Sequence, residues 1–236
     1  MSTLKIAIVY PDLLGTYGDS GNGEILAARA SWRGIEVELI RALSSEALPE
    51  ADLYCLGGGE DGPQVLAAER LIADGGLNRA VERGATVLAV CAGFQIVGQS
   101  FPDASGTVHQ GLGLLEVTTA KGTGPRAVGE VAVDVDLAFG LGRLSGFENH
   151  GGVTSLVGAR PLGSVVAGIG NGSGDGSEGA VSGHVLGTYL HGPVLARNPD
   201  LADLLLSWAL GVEDLSPLDD ARELELREER LRFAGA

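Results

Sequence analysis

Residues 86–98 read TVLAVCAGFQIVG, and this stretch is the most informative part of the chain about its fold. The apolar run 86–90 is typical of a strand buried on both faces of a parallel sheet. Cys91 follows where that strand ends, and the small residues Ala92 and Gly93 begin a helix. This order of strand, sharp turn and helix predicts a nucleophile elbow, with sulfur in place of the usual serine oxygen.

The residues around Cys91 fit a reactive thiol. Small neighbours let a strained backbone turn and let a substrate approach, and the helix N-terminus behind the sulfur favours the thiolate. The backbone N–H of Ala92 is available as an oxyanion donor. The alternative is that Cys91 is only a small buried residue at a strand end. The local context favours the catalytic interpretation. Cys55, inside another apolar run, is predicted to be structural.

The rest of the chain predicts a single mixed α/β domain with a mainly parallel central sheet and flanking helices. Strands and helices alternate in the first half: strands at 4–10, 35–40 and 52–56, helices at 22–33 and 64–74. The second half predicts more antiparallel strands at 127–135, 143–147 and 180–190, a flexible Gly/Ser loop at 168–177, and a helix from Asn198 to Gly211.

A charged segment follows this domain. We divide the chain into a domain at 1–212 and a helical tail at 213–236, with the helix over 221–231. Glu223 with Arg227, and Glu228 with Arg232, stand at helix-supporting spacing. The tail either packs on its own domain or serves as a handle for a partner protein.

Composition excludes several classes of protein. The 236 residues carry 16 Lys and Arg against 31 Asp and Glu, a formal net charge of −15. Such a chain argues against binding to nucleic acid or to an anionic membrane surface. No stretch has the length of a membrane span, and the first apolar run, 6–10, is too short for a signal peptide. Two cysteines make a poor disulfide framework and an incomplete metal site, so we expect a cytoplasmic protein without a metal.

A nucleophilic cysteine needs a base, and four histidines are available. His150 and His191 each stand beside glycine at the end of a predicted strand, and position alone favours His191. The glycine run 57–59 follows another strand, at the edge where open α/β sheets bind ligands. No Lys-Ser/Thr pair follows it, so it fits an oxyanion loop better than a nucleotide loop.

The ordered motifs resemble those of the class I glutamine amidotransferases. They are the glycine run 57–59, the elbow at 91–95 and Tyr-Leu-His-Gly-Pro at 189–193. The similarity is greatest to the branch that includes the cobyric acid synthase glutaminase domains. Residues 10–22 and 146–152 further resemble the stand-alone glutaminase subunits of lipid II isoglutaminyl synthases. The resemblance implies a flavodoxin-like α/β fold and spans residues 4 to about 211.

The resemblance also implies roles for individual residues. Cys91 would attack the carboxamide of glutamine, and His191 would move the protons. The amides of Gly58 (or Gly59) and Ala92 would form the oxyanion hole. Gln95 and Arg126 would bind the substrate, because an arginine fork suits an α-carboxylate; Arg126 could instead be a solvated loop residue. The roles of Asn149 and His150 stay open between lining the pocket and shaping a turn.

Two positions depart from the family pattern. Ala89 stands where glycine is usual, and Pro193 stands where most members carry the glutamate that orients the histidine. The resemblance implies that a Mur-ligase-like (MurT-type) partner supplies an aspartate and forms a heterodimer with this chain. It implies no cofactor here, with ATP and Mg²⁺ on the partner.

Three functions are therefore carried forward. The first is a glutaminase subunit that feeds ammonia to such a partner, which amidates D-glutamate of lipid II to D-isoglutamine in peptidoglycan synthesis. The second keeps the chemistry but serves a cofactor amidotransferase of the cobyric acid or pyridoxal phosphate type. The third is a non-catalytic module that binds glutamine.

Overall fold

The structure is a computed structural model that describes residues 3–236. Its strands are β1 (Leu4–Val9), β2 (Val37–Ala42), β3 (Leu53–Leu56), β4 (Thr86–Val90), β5 (Ser100–Pro102), β6 (Val108–Gln110), β7 (Val117–Lys121), β8 (Ala127–Val135), β9 (Leu144–His150), β10 (Gly152–Leu156), β11 (Gly163–Ala167), β12 (Ser177–Glu178), β13 (Ala180–Ser182) and β14 (Val185–Thr188). Its helices are α1 (Gly21–Trp32), α2 (Asp61–Asp74), α3 (Gly76–Glu82), α4 (Ala92–Val97), α5 (Val194–Arg197), α6 (Pro199–Leu210) and α7 (Ala221–Ala234), with a 3-10 turn at Leu137–Phe139.

The central sheet has six strands in the order β13-β14-β4-β3-β1-β2. All neighbours pair in parallel except β13 with β14, so the prediction of a mixed, mainly parallel sheet is confirmed. Helix α1 packs against α6, and α2 packs against α4. Right-handed crossovers in opposite directions along the sheet put α1 and α2 on opposite faces. Strands β3 and β4 are therefore buried throughout.

The second half adds two four-stranded sheets, ordered β10-β7-β5-β6 and β12-β11-β8-β9. Their pairings are antiparallel except for β5 with β7, in line with the prediction for this half. The strand predicted over 180–190 is a hairpin, because Gly183 turns the chain with φ of +54° between β13 and β14.

The start of the Gly/Ser loop differs from the prediction of a flexible segment. The buried carboxylate of Glu148 accepts the N–H groups of Ile169 and Gly170. Asn171 is fully buried and exchanges hydrogen bonds with Gly179 in both directions. The prediction of flexibility, which rested on glycine-rich composition, is therefore wrong for residues 169–171, because side chains from elsewhere in the chain hold this backbone.

Helix α7 packs on its own domain, against β8, β9 and α5. The fully buried guanidinium of Arg29 pairs with Asp203 at 2.8 Å and with Asp220, just before α7, at 2.6 Å. Arg227 pairs with Asp200 at the start of α6, rather than with Glu223 as its spacing predicted. Ion pairs between elements thus hold the tail in place.

Of the part of the chain that the structure describes, no helix is both long and apolar enough to cross a bilayer.

Candidate active site

Cys91 lies at the carboxyl edge of the central sheet, between β4 and α4, and is 6% exposed. Its backbone has φ of +53° and ψ of −105°, a conformation that L-residues rarely adopt. The N–H of Gly93 donates to the carbonyl of Gly57 at 3.1 Å, which ties the turn to the end of β3. A Cβ at Gly93 would stand 2.7 Å from Leu56 Cβ, so only glycine fits. The predicted elbow therefore has the expected geometry.

His191 follows β14 at the same edge and is almost fully buried. Its Nδ1 lies 2.8 Å from Asp19 Oδ2, and backbone hydrogen bonds with Phe147 fix its main chain. Its Nε2 has no hydrogen-bond partner among residues 3–236. Burial lowers the pKa of His191, but the Asp19 carboxylate and the Cys91 sulfur outweigh it and raise the pKa to about 10. The structure therefore brings His191 and Cys91 together as a thiol and imidazole pair.

Asp19 is a site residue that the sequence motifs do not predict, since they offer no carboxylate within the chain for His191. It lies in the segment between β1 and α1, is 2% exposed and is 172 residues away from the histidine. The signal that could have found it was its place after a parallel strand, since the carboxyl ends of such strands share one edge. Pro193 does not act as a substitute, since it has no carboxylate.

The glycine run 57–59 passes directly beside the imidazole. A Cβ at Gly58 would stand 2.8 Å from His191 Cε1 and 2.8 Å from the ring of Tyr17. The N–H of Gly58 donates to Asp19 Oδ2 at 3.0 Å, so in this structure it is engaged by a carboxylate. Gly59 is next along the run, and Ala92 is the first residue of α4, where N–H groups have no intrahelical partner. The oxyanion roles of these three residues stay predictions.

Gln95 and Arg126 line one cleft of about 240 Å³, together with Asp61, Asp103 and Lys121. The side-chain N–H groups of Gln95 donate to the Tyr189 hydroxyl at 3.1 Å, and Gln95 Oε1 accepts from Gln64 at 2.8 Å. Gln95 lies one helical turn beyond Cys91, and these two hydrogen bonds fix the orientation of its amide. The cleft combines cationic and carboxylate side chains, as a zwitterionic amino acid requires.

Asn149 and His150 have different surroundings. Asn149 accepts the Nε–H of Arg126 at 2.6 Å through its side chain and an Nη–H at 2.9 Å through its carbonyl. His150 is buried and stacks on Tyr189 with ring centroids 3.7 Å apart, and its Nδ1–H donates to Gly152. Asn149 therefore orients the arginine of the cleft, while His150 supports the wall behind Gln95.

Cys55 contrasts with Cys91. It lies inside β3, and burial raises the pKa of its thiol to about 12, which keeps it protonated and inert. In residues 3–236, no group of three or more His, Cys, Asp or Glu side chains is arranged to hold a metal ion.

The fold is shared with solved structures of glutamine amidotransferases. A structure described as a glutamine amidotransferase superposes with a TM-score of 0.62 at 22% identity, covering 88% of this chain and 99% of that one. PurLQS from Thermotoga maritima gives 0.59 at 20% identity, covering 89% and 99%. At such identities the likeness shows the fold alone. Fold and site define an α/β protein of the class I amidotransferase type with a cysteine nucleophile elbow.

The sequence places the chain more narrowly. Residues 5–199 match the CobB/CobQ-like glutamine amidotransferase domain, and the chain belongs to this family. It is 37% identical over 212 residues to the GatD subunit of the glutamine-hydrolysing lipid II isoglutaminyl synthase of Staphylococcus aureus (strain N315), covering 89% of this chain and 85% of that one. The corresponding subunit of Streptococcus pneumoniae (strain ATCC BAA-255 / R6) is 36% identical, with coverages of 88% and 80%. Cobyric acid synthase of Azorhizobium caulinodans is 37% identical, but the match spans only 32% of its length.

Proposed function

We propose that the chain is the glutamine-hydrolysing subunit of a two-protein amidotransferase acting on lipid II. Its partner, a Mur-ligase-like protein, would use ATP and Mg²⁺ to activate the α-carboxyl of D-glutamate, and ammonia from this chain would convert it to D-isoglutamine. The observation that carries the proposal is the strained Cys91 beside His191 in a chain 37% identical, over most of its length, to a subunit named for that synthase. Both cysteines are free, which fits a cytoplasmic complex.

The proposed reaction passes through a γ-glutamyl thioester on Cys91. His191 Nε2 takes the thiol proton, and the sulfur attacks the side-chain carbonyl carbon of glutamine, whose oxygen becomes negative. The imidazolium then gives its proton to the departing nitrogen, and ammonia leaves. Water attacks the thioester while His191 takes a water proton, and the thiolate leaves with that proton. The products are ammonia and glutamate, with the thiol restored.

The pKa of His191 suits these transfers. Because the pKa is raised to about 10, the ring keeps the proton that it takes from the thiol, and that proton is then available to the leaving nitrogen. The oxyanion would be stabilised by the N–H groups of Ala92 and Gly59, or by Gly58 if its N–H leaves Asp19.

Arg126 would bind the α-carboxylate of glutamine and Gln95 would help hold its body. Arg126 is already oriented by Asn149, so its fork reaches the cleft with little loss of side-chain freedom on binding. Arg126→Ala is then expected to raise KM for glutamine by about 10- to 100-fold, since a charge-assisted pair contributes about 1.5–3 kcal/mol. An unchanged KM would remove Arg126 from the substrate site.

The test measures glutamate and ammonia release by the purified chain with and without the Mur-ligase-like protein. Cys91→Ala is expected to abolish release, whereas Cys55→Ala, at the inert buried thiol, retains it. Release by Cys91→Ala at the wild-type rate would refute the mechanism. Labelling of Cys91, in one-to-one ratio, by a glutamine-analogue electrophile would count against a module that only binds glutamine.

A second candidate is a glutaminase for a cofactor amidotransferase, favoured by the match to the cobyric acid synthases. It predicts the same Cys91 chemistry but a different acceptor. Mixing the chain with a Mur-ligase-like protein, ATP and lipid II separates the two, because only the first proposal expects amidated lipid II. A Mur-ligase-like gene beside the gene for this chain would favour the first proposal, the subunit acting on lipid II.

A further inference from the structure

The carboxylate of Asp19 is placed as a partner of the imidazole and not as a structural ion. Its side chain is 1% exposed, and Oδ2 accepts both the Nδ1–H of His191 at 2.8 Å and the N–H of Gly58 at 3.0 Å. Its Oδ1 has no hydrogen-bond partner in the described part of the chain. A buried acceptor left unpaired costs about 1–3 kcal/mol, so this carboxylate is poorly satisfied as a purely structural group.

The surroundings hold Asp19 in this position. The N–H of Asn22, in the first turn of α1, donates to the Asp19 carbonyl at 3.0 Å. Gly57, at the end of β3, lies so close that a Cβ there would stand 3.0 Å from Asp19 Cβ. On the other side, the Tyr17 ring lies 5.0 Å from that of His191, centroid to centroid. The imidazole is therefore packed between two side chains of one loop.

The direction of the hydrogen bond matters for the chemistry. Donation from Nδ1 to a carboxylate leaves Nε2 of the neutral ring unprotonated and able to take a proton, and it stabilises the imidazolium once Nε2 is protonated. We infer that Asp19 is the positioning residue for His191, so that a carboxylate of this chain holds the imidazole of the proposed Cys-His pair. This inference rests on the proposed glutaminase function, because it assigns Asp19 a role at that same site.

The titratable groups that face His191 are Asp19, the Cys91 thiol and the Tyr17 hydroxyl, which donates to Glu60. Asp19 and Cys91 both raise the pKa of His191, against the lowering by burial. Asp19→Asn keeps the shape of the side chain and can still accept Nδ1–H, but it removes the negative charge of the carboxylate. The pKa of His191 is therefore expected to fall from about 10 towards or below its ordinary 6.5.

The experiment has two independent readouts. The first is an NMR titration of the His191 ring in the full chain, assigned with His191→Gln, which needs no catalysis. The second is the pH profile of glutamine hydrolysis by the chain with its partner. For Asp19→Asn we expect kcat to fall by about 10²- to 10⁴-fold with KM changed less than about threefold, and the alkaline limb of kcat/KM to move to lower pH.

Asp12→Asn is the matched control. Asp12 lies in the same loop and binds the backbone and hydroxyl of Ser44, so its loss affects the loop without touching the imidazole. We expect it to leave the His191 titration and the pH profile at their wild-type values. If Asp12→Asn shifts them as much as Asp19→Asn does, loop integrity explains the effect and the inference fails.

The outcomes separate the inference from the proposed function. Unchanged kcat and His191 titration in Asp19→Asn would overturn the inference and leave the glutaminase intact. A wild-type chain that never hydrolyses glutamine, with any partner, would overturn the function. In that case, or if Asp19→Asn does not fold, the titration of His191 in the wild-type chain decides. A protonated Nδ1 and a His191 pKa well above 6.5 would support the Asp19 contact. A His191 pKa at or below 6.5 would refute it.

Discussion

Replacing Cys91 by glycine is expected to make the chain more stable than replacing it by alanine. The reason is the backbone, not the lost sulfur, which both variants lack. With φ at +53° and ψ at −105°, Cys91 lies outside the left-handed helical region as well as the common ones. Holding a residue with a Cβ in such a conformation costs about 1–3 kcal/mol of strain. Because these angles lie far from every favoured φ/ψ region, we expect a strain energy of about 3 kcal/mol.

Two terms oppose the gain. Glycine loses more freedom on folding, at about 0.4–1 kcal/mol, and the buried methyl of alanine contributes about 0.8 kcal/mol. If the strain is about 3 kcal/mol, the glycine variant should exceed the alanine variant by about 1–2 kcal/mol in free energy of unfolding. Each 1 kcal/mol corresponds to a Tm higher by about 2–4 °C for a chain of this size.

The assay is urea unfolding of both variants, with free energies extrapolated at equal m-values. The same pair at Cys55, a buried residue of β3 that is not at positive φ, provides the control. There glycine should be less stable than alanine by about 1–2 kcal/mol, because only the opposing terms act. If Cys91→Gly falls below Cys91→Ala by that same amount, the backbone is unstrained and the argument for an elbow under strain is wrong.

Two further predictions concern the packing around this site and the tail. Arg29→Ala should destabilise the chain by about 3 kcal/mol, because it leaves the partly buried carboxylate of Asp220 unpaired, while Asp203 keeps its pair with Arg33 at 2.6 Å. An unfolding free energy within about 0.5 kcal/mol of wild type, the usual size of a surface effect, would show that the Arg29 ion pairs do not hold α7. Gly187→Ala should cost about 1–3 kcal/mol or more, since the added methyl would overlap the buried Phe94 ring, whereas Gly62→Ala in α2 meets open space and should be neutral or stabilising. Equal effects of the two glycine substitutions on Tm would contradict this packing.

Much of the fold could be predicted because it depends on local patterns. The continuous apolar run of β4, with Cys91 and Gly93 directly after it, specifies a strand, a tight turn and a helix through neighbouring residues. The alternation of such units then requires a parallel sheet covered on both faces. The choice of His191 over His150 also came from position, and the structure brings His191 to the thiol while His150 stacks on Tyr189.

The remaining features depend on contacts between distant residues. The Gly/Ser loop begins as an ordered segment because Glu148, about twenty residues earlier, accepts its N–H groups. Arg227 takes Asp200 of another helix instead of the glutamate one turn away. Neither partner follows from spacing along one element, because tertiary packing decides which groups come within reach of a side chain.

The sequence by itself predicted the elbow at Cys91, because strand, turn and helix propensities act over a few consecutive residues there. It also determined the family, through motifs in a fixed order. Only the tertiary structure decided which carboxylate contacts His191: Asp19 lies 172 residues away in sequence, and the two meet because β1 and β14 end at one edge of the same sheet. The physical reason is sheet topology, which brings the ends of non-consecutive strands together: the sequence can place Asp19 after a strand, but only the strand order shows that it reaches His191.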